Sequence, residues 1–327
     1  MDAAWMFRSL LKQPLDRRQV TMLTKNAFKS LSAISLACAF SLGWVGSAHA
    51  DTNTDGFVVN PKISKATLDP QAVAALPADI KAKGVLTIGG ETTLPPYLYR
   101  DNGGITGIEA DFMQALGQAL GLRIQLVNTD FGSMVIGLTS GRLDVAMSDF
   151  SDTADREKQV TFVDYTKTGQ QLVVAKGNPK NIHSVADLCG ATAGGPVGSL
   201  SLAIAKQQSD VCTKAGKPAV TVQGYPTASA TDLALRTGRI DTMGIDYAIA
   251  ADVVKTSGDK AQLTGDLFES GYHGAAVKTS NTQLAKALQL AFQSISKQGI
   301  DKQIVDFYGV SQMRIDSPMI NAMQGKN

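Results

Sequence analysis

Several residue types are scarce in this 327-residue chain, and each scarcity argues against a class of protein. Three cysteines are too few for a disulfide scaffold, and they are not spaced as metal ligands. Three separated histidines, without an HExxH, paired CxxC or GxSxG motif, give no metal or nucleophilic site. The formal charge of +2 argues against a nucleic-acid-binding protein, which would carry a basic excess. We therefore expect no cofactor, no metal and no nucleic-acid partner.

A mostly apolar run covers residues 31–48, near the amino terminus. Lys25 and Lys29 precede the run, and small residues ending at Ala50 follow it. This order predicts a secretory signal peptide over residues 1–50 that is cleaved after Ala50, with a functional start at Met22 as one option. The alternative is a membrane anchor, although the run is marginal for the ~20 residues of a span and contains Ser and Gly.

Removing residues 1–50 takes away six of the 31 basic and two of the 29 acidic residues, so the charge becomes −2. Cys38 is lost with this segment, and Cys189 and Cys212 remain. An even pair of cysteines in an oxidising compartment predicts a disulfide closing a loop of ~22 residues, which would add about 3 kcal/mol of stability. Two buried thiols are the alternative.

Short β-branched segments alternate with helical patterns along the chain. The pattern predicts strands at 85–88, 123–127 and 143–147 and helices at 107–121 and 135–140. Such alternation is typical of α/β proteins with a largely parallel sheet, and the length suggests about two domains.

Residues 140–149 resemble residues 237–246, at a constant offset of 97. Each copy contains a Gly-Arg step, an apolar residue and Asp, and each ends in a second acid, Asp149 or Asp246. Ligands of open α/β sheets bind beyond the carboxyl ends of strands, so both acids are candidate site residues. The alternative is chance similarity between two common helix–Gly–strand joints.

Two segments suit an anionic group. Residues 194–199 are glycine-rich and precede a helix with Ser199 or Ser201 near its N-cap. The free N–H groups at the helix start could bind a carboxylate, although a simple tight turn fits equally well. Arg156 follows a polar segment that can cap a helix, and its planar fork matches a carboxylate. A solvated surface charge run is the alternative for this segment.

Around these residues the sequence resembles the family 3 solute-binding proteins, the periplasmic amino-acid receptors of ABC transporters. The resemblance lies in residues 107–112, in 142–165 and in 239–246, and with the C-terminal helices at 286–308 it spans about residues 80–310. Ala110 is smaller than the aliphatic residue that is usual at its position. The resemblance implies an α/β type II periplasmic-binding-protein fold with two lobes joined by a two-segment hinge.

The same resemblance implies a domain organisation. Lobe 1 is expected at 80–170 and 275–320, and lobe 2 at 171–274. Residues 51–79 would form an N-terminal extension, and 321–327 a C-terminal tail.

Family positions also imply roles for single residues. Arg156 would bind a ligand α-carboxylate with help from Ser151 and the Ser199 loop, and Asp246 would bind the α-ammonium group. Phe131 would stack on the ligand side chain, and Tyr97 would wall the first lobe. The full expected ligand-binding set is Glu91, Tyr97, Phe131, Ser148, Asp149, Ser151, Arg156, Ser199 and Asp246.

Three positions determine the expected ligand specificity: one that contacts ligand side chains in relatives and two that differ from the usual family residue. Glu91 occupies a position that contacts ligand side chains in relatives, Asp149 replaces a common Ser, Gly or Thr, and Leu94 replaces a frequent aromatic residue. Two acids favour a polar or cationic side chain and disfavour an acidic amino acid. Alternatively, Asp149 orients Arg156.

The resulting expectation is a monomeric, non-enzymatic periplasmic receptor that captures an amino acid between closing lobes and delivers it to an ABC permease. A cyclohexadienyl (arogenate or prephenate) dehydratase on the same scaffold is one alternative, in which Glu91 or Asp149 would serve as general acid. A ligand sensor for a membrane receptor is another.

Overall fold

The computed structural model describes residues 56–101 and 103–323. The predicted signal peptide and its cleavage after Ala50 lie outside the described residues, so both stay predictions. Within the part of the chain that is described, no helix combines the length and apolar character needed to cross a membrane.

Twelve strands are found among the described residues: β1 (Val85–Gly90), β2 (Thr93–Leu94), β3 (Leu98–Asp101), β4 (Gly104–Thr106), β5 (Arg123–Asn128), β6 (Val145–Ala146), β7 (Val160–Ala175), β8 (Thr192–Pro196), β9 (Thr221–Tyr225), β10 (Thr242–Asp246), β11 (Ala261–Lys278) and β12 (Arg314–Ile320). The α-helices of the same residues are α1 (Pro70–Ala75), α2 (Ala78–Lys83), α3 (Ile108–Leu120), α4 (Met134–Thr139), α5 (Ala154–Glu157), α6 (Leu200–Lys214), α7 (Ala228–Arg236), α8 (Tyr247–Thr256), α9 (Thr282–Lys297) and α10 (Ile300–Phe307).

Nine strands form one sheet in the order β5-β1-β6-β11-β7-β10-β8-β9, with β12 also paired to β7. We call β5, β1 and β6 the first half-sheet and β10, β8 and β9 the second half-sheet; the neighbouring strands within each are parallel. The long strands β7 and β11, here the connecting strands, pair antiparallel with each other and join the halves. The α/β prediction is confirmed, while the parallel pattern is limited to the half-sheets.

Helix α3 packs on the first half-sheet and α9 on the connecting strands, and the two helices bury an aromatic core between them. Twelve of the thirteen α3 residues are buried, so this helix is enclosed on almost all sides. The buried residues include three polar ones: Glu109, Asp111 and Gln114. Phe112 of α3 contacts Tyr165 of β7, and Tyr165 stacks on Phe292 of α9 with ring centroids 4.7 Å apart. Gly121 ends α3 in the left-handed conformation at φ 64°, which only glycine adopts without strain.

The internal sequence repeat corresponds to a structural repeat. Gly141 follows α4 and Gly238 follows α7, both with positive φ, and each turns the chain into a strand. Asp144 accepts a hydrogen bond from a backbone N–H of β1, and Asp241 accepts the equivalent bond from β8, both at 2.8 Å. The two half-sheets therefore share a helix–strand joint. In each joint the carboxylate of one Asp is hydrogen-bonded to the backbone of the neighbouring parallel strand.

The predicted disulfide is confirmed: Cys189, which follows a short 3-10 helix, is bonded to Cys212 near the end of α6. The bond lies beside the second half-sheet, because the turn after Cys189 leads directly into β8. The bond joins the C-terminal end of α6 to the segment that precedes β8, and the Ser199 turn connects β8 to the start of α6.

Candidate functional site

A small cavity of about 20 Å³ lies where the ends of β6 and β10 approach the connecting strands. Six of the nine expected ligand-binding residues line it: Glu91, Phe131, Asp149, Ser151, Ser199 and Asp246. The other three, Tyr97, Ser148 and Arg156, contact these residues from behind. Sequence reasoning missed further lining residues: Gln170 of β7, Pro196, Leu200, Ser201 and Ile245.

Glu91 follows β1 and is buried with one carboxylate oxygen unpaired. Its backbone N–H donates to the hydroxyl of Ser148 at 2.9 Å, which explains the position of Ser148. Its Oε1 accepts from the Thr93 hydroxyl and from the Ala228 N–H at the start of α7. Oε2 has no partner among the described residues. Burial raises the pKa of Glu91. Because Oε2 is buried and unpaired, it offers a hydrogen-bond position to a group that enters the small cavity.

Asp149 sits in the left-handed region at φ 52°, which Asp tolerates better than most residues. Its backbone N–H donates to the buried carboxylate of Glu109 at 3.0 Å, and the Tyr165 hydroxyl donates to the same carboxylate at 2.6 Å. Burial raises the pKa of Asp149 to about 7. A fixed backbone therefore aims this carboxyl at the connecting strand β11.

His273 of β11 is fully buried and lies near both terminal acids of the internal repeat. Asp246 ends β10 as expected, whereas β6 already ends three residues before Asp149. The Nε2 of His273 lies 2.8 Å from Oδ1 of Asp149 and 3.7 Å from Oδ2 of Asp246. Burial alone would lower the pKa of His273, but Asp149, Asp246 and Glu109 together raise it to about 9. The imidazole is isolated in the sequence but not in space, because the segment after β6 continues to pair with β11 at the Ser151–His273 bridge.

Asp246 ends β10 and also caps α8. Its carboxylate accepts hydrogen bonds from the Ala248 N–H at 2.8 Å, from the Tyr97 hydroxyl at 2.8 Å and from the Thr168 hydroxyl. A carboxylate has about four acceptor positions, so one position remains for a ligand donor. Tyr97, which precedes β3, and Thr168, on β7, hold this carboxylate in place.

Arg156 of α5 lies between two aromatic rings. Its guanidinium carbon is 5.3 Å from the centroid of Phe131 and 4.6 Å from that of Phe150. The guanidinium donates to the carbonyl of Ser151 and, at 2.8 Å, to the carbonyl of Gly198. Burial lowers its pKa to about 10, so it stays charged at neutral pH. These bonds use two of the five donors of the guanidinium and leave the others for a carboxylate.

Ser199 is the N-cap of α6, as the sequence predicts, and its hydroxyl accepts from the Leu202 N–H at 3.2 Å. The preceding turn approaches the segment after β5 closely. A Cβ added at Gly198 would lie 3.2 Å from the Cα of Gly132, and φ there is 82°. Glycine at position 198 thus permits the two sides of the cavity to meet.

The donor atoms of Asp149, Asp246 and His273 lie within 4.8 Å of one another, a spacing that could hold a metal ion. The 2.8 Å contact between His273 and Asp149 already pairs an imidazole with a carboxylate. The charges of the protein itself therefore account for this cluster without a cation.

A second, larger cavity, of about 600 Å³, lies elsewhere. It shares Asp246 with the small cavity, and its walls include Tyr97, Lys167, Leu267 and Met313. Neither Glu91, Ser151 nor the Ser199 turn reaches it. The candidate site is therefore the small cavity, where cation, anion and helix start converge, and not the larger one.

Comparison with known proteins gives an independent view of the chain. The model of the family described as bacterial extracellular solute-binding proteins, family 3, matches residues 86–311. The L-cystine-binding protein TcyJ of Escherichia coli (strain K12) is 32% identical over 222 residues, 67% of this chain and 80% of that protein. The arginine-binding protein ArgT of Corynebacterium glutamicum is 27% identical over 259 residues, 77% of this chain and 83% of that protein.

Solved structures agree with the fold. An ancestral arginine-binding protein bound to arginine aligns with a TM-score of 0.64 and 30% identity, covering 69% of this chain and 98% of that one. An ancestral arginine-binding protein bound to glutamine aligns with a TM-score of 0.63 and 30% identity, covering 69% of this chain and 98% of that one.

Proposed function

Because the chain belongs to the family 3 bacterial extracellular solute-binding proteins, we propose that it captures a free amino acid outside the cytoplasm and delivers it to an ABC permease. One observation supports this most strongly: the Asp246 carboxylate lines the small cavity, and the charged Arg156 guanidinium lies directly behind its wall. The guanidinium lies against the Phe131 ring and the Gly198 carbonyl. A zwitterion needs one cation and one anion, since each buried charge needs a partner.

In this proposal Arg156 binds the ligand α-carboxylate. The Ser151 hydroxyl and the start of α6 at Ser199 add donors, and a helix N-terminus favours an anion. Asp246 uses its remaining acceptor position for the α-ammonium group. Phe131 stacks on the ligand side chain, and Tyr97 acts indirectly by holding Asp246.

Ligand entry requires the two sides of the small cavity to separate. Hydrogen bonds already join them: Arg156 to Gly198, Ala228 to Glu91, and the Ser229 hydroxyl to a carbonyl of β2 at 3.1 Å. A cavity of about 20 Å³ has room for a water molecule but not for an amino acid. We assign the opening to a hinge in the connecting strands, with lobes at 80–170 plus 275–320 and at 171–274.

The ligand side chain is proposed to be polar or cationic. The unpaired Oε2 of Glu91 is an acceptor in the small cavity, so an amide or a guanidinium would satisfy it. The proteins reported above are described as binding cystine, arginine and glutamine, which is compatible with this preference. An acidic amino acid would place a third carboxylate between Glu91 and Asp149.

Binding without catalysis is favoured over the dehydratase alternative. The curated relatives reported above are described as binding proteins. In the structure Asp149 is paired with His273, and Glu91 accepts two hydrogen bonds. A sensor for a membrane receptor would share the binding step and differ in its partner. We place the mature protein in the periplasm as a monomer, after cleavage at Ala50.

The test is a thermal-shift panel of the amino acids on the chain from Asp51 onward, followed by calorimetry on the strongest ligands. We expect the largest stabilisation with arginine, glutamine or another polar ligand, and none with glutamate. Equal stabilisation by glutamate would reject the specificity, and no stabilisation by any amino acid would reject the proposed function.

A further inference from the structure

Three carboxylates border the small cavity, those of Glu91, Asp149 and Asp246, and a single imidazole lies beside the last two. His273 is 2.8 Å from Asp149 and 3.7 Å from Asp246, and its side chain is completely buried. Water and salt screen such a buried group only weakly. The protonation of His273 and Asp149 therefore decides how much net negative charge the cavity presents to a ligand.

We propose that His273 is a positioning residue that sets the charge preference of the ligand site: its imidazolium cancels Asp149 and leaves Asp246 as the anion offered to an α-ammonium group. This inference rests on the proposed function, since it supposes an amino acid in the small cavity. It also gives Asp149 a role other than contacting the ligand or orienting Arg156. That role is to keep His273 charged and compensated.

The surroundings of His273 are dominated by acids. The titratable groups that face it come from α3, from the loops before β3 and after β6, from β7 and from β10: Glu109, Tyr97, Asp149, Asp164 and Asp246. Glu109 is already bonded to Tyr165 and to the Asp149 N–H, and Asp246 to three donors. Asp149 is thus the direct partner of the imidazole.

The pH response follows from this pairing. The pKa of Asp149 is raised by burial to about 7, and that of His273, although opposed by burial, is raised by its acidic neighbours to about 9. Between these values the pair is neutral overall. As pH falls below 7, Asp149 takes up a proton first, and an uncompensated imidazolium remains beside Asp246. A cationic ligand is then disfavoured relative to a neutral one, since both experience the same α-ammonium and α-carboxylate contacts.

The first measurement needs no ligand. The chain from Asp51 onward contains two histidines, His183 and His273, so His183→Gln leaves one imidazole for NMR titration. We expect that imidazole to stay protonated at about pH 7.5, and Asp149→Asn in the same background to lower its pKa by about one unit or more. A neutral imidazole at that pH, or no response to Asp149→Asn, would overturn the proposal.

The second measurement compares L-arginine and L-glutamine by calorimetry at about pH 8 and about pH 5.5. We expect the affinity ratio of arginine to glutamine to fall about tenfold at the lower pH. The double variant Asp149→Asn/His273→Gln replaces the ion pair by two neutral amides, and we expect a flat ratio. Asn tolerates the positive φ of position 149, and circular dichroism checks folding.

His183→Gln is the matched control, because His183 is exposed and its ring contacts Asn181 away from the small cavity. It should keep the pH profile of the unchanged protein. A ratio that does not depend on pH, or a double variant with the unchanged slope, would contradict the inference. If neither amino acid binds the unchanged protein at any pH, the proposed function fails for these ligands, and the NMR titration still decides the charge of His273.

Discussion

Asp149 and Asp246 occupy equivalent places in the internal repeat but have different surroundings. Asp246 caps a helix and accepts bonds from Tyr97 and Thr168, so its carboxylate is held in place as an acceptor. Asp149 has a left-handed backbone and pairs with the buried His273. Equivalent strand ends thus provide one anion for a ligand and one anion for an internal cation. The neighbours of a residue, and not its place in the repeat, determine which role it has.

The largest expected effect concerns Asp246. Asp246→Asn keeps an N-cap and most hydrogen bonds but removes the charge, so amino-acid affinity should fall about 100- to 1,000-fold with little change in stability. Calorimetry with the best ligand measures this loss. Asp149→Asn is the matched variant and should cost about tenfold for a cationic ligand. Equal losses from the two variants would remove the distinction between the acids.

The second largest expected effect concerns the disulfide, which lies beside the second half-sheet and has no counterpart in the described residues of the first. Reducing Cys189–Cys212 should lower the free energy of unfolding by about 3 kcal/mol, because the loop it closes becomes free in the unfolded chain. Urea unfolding with and without reductant measures the change. Ligand affinity should change by less than about threefold, since the bond lies away from the small cavity. An unchanged unfolding midpoint would contradict a structural role for the bond.

Arg156 should tolerate lysine poorly. Arg156→Lys keeps the charge but loses the planar fork and the stacking on Phe131 and Phe150, so affinity should fall about tenfold. Arg142→Lys, at an exposed position after α4, is the control and should bind normally. Unchanged affinity in Arg156→Lys would argue against a two-point contact with a carboxylate.

The smallest effect is a pH dependence of stability. The pKa of His273 is raised from 6.5 to about 9, so its contribution to stability is full below 6.5 and is lost as pH rises towards 9. The contribution of His273 to the free energy of unfolding should therefore fall by about 1 kcal/mol from about pH 7 to about pH 8. Asp149, Asp152 and Asp164, whose pKa values burial raises, add to the fall. Chemical unfolding of the unchanged protein and of His273→Gln at the two pH values measures the difference between their slopes. His273→Gln should reduce the slope, and an unchanged slope in that variant would assign the effect to the other groups.

Much of this architecture is readable from the sequence. The Gly-Arg-apolar-Asp repeat predicts the two strand ends, because glycine after a helix and Asp before a buried strand have local physical causes. The cap at Ser199 and the Cys189–Cys212 pair are likewise local or compositional, and the structure confirms both.

His273 was not predictable in the same way. Its partner Asp149 is 124 positions earlier in the chain, and the contact depends on pairing between the segment after β6 and β11. A histidine directly before the buried run 274–277 is a weak signal by itself. The resemblance implies two hinge segments, near 170–176 and 271–277, which lie on the connecting strands. The full length of these strands and β12 were missed, since strand pairing between distant segments leaves little local pattern.

The most direct test is a crystal structure of the chain from Asp51 onward with the tightest amino acid from the thermal-shift panel. The account predicts the ligand in an enlarged small cavity, with its carboxylate bonded to Arg156 and its ammonium group to Asp246. A ligand in the larger cavity beside Tyr97 and Met313, with Arg156 still bonded to the carbonyls of Ser151 and Gly198, would contradict it.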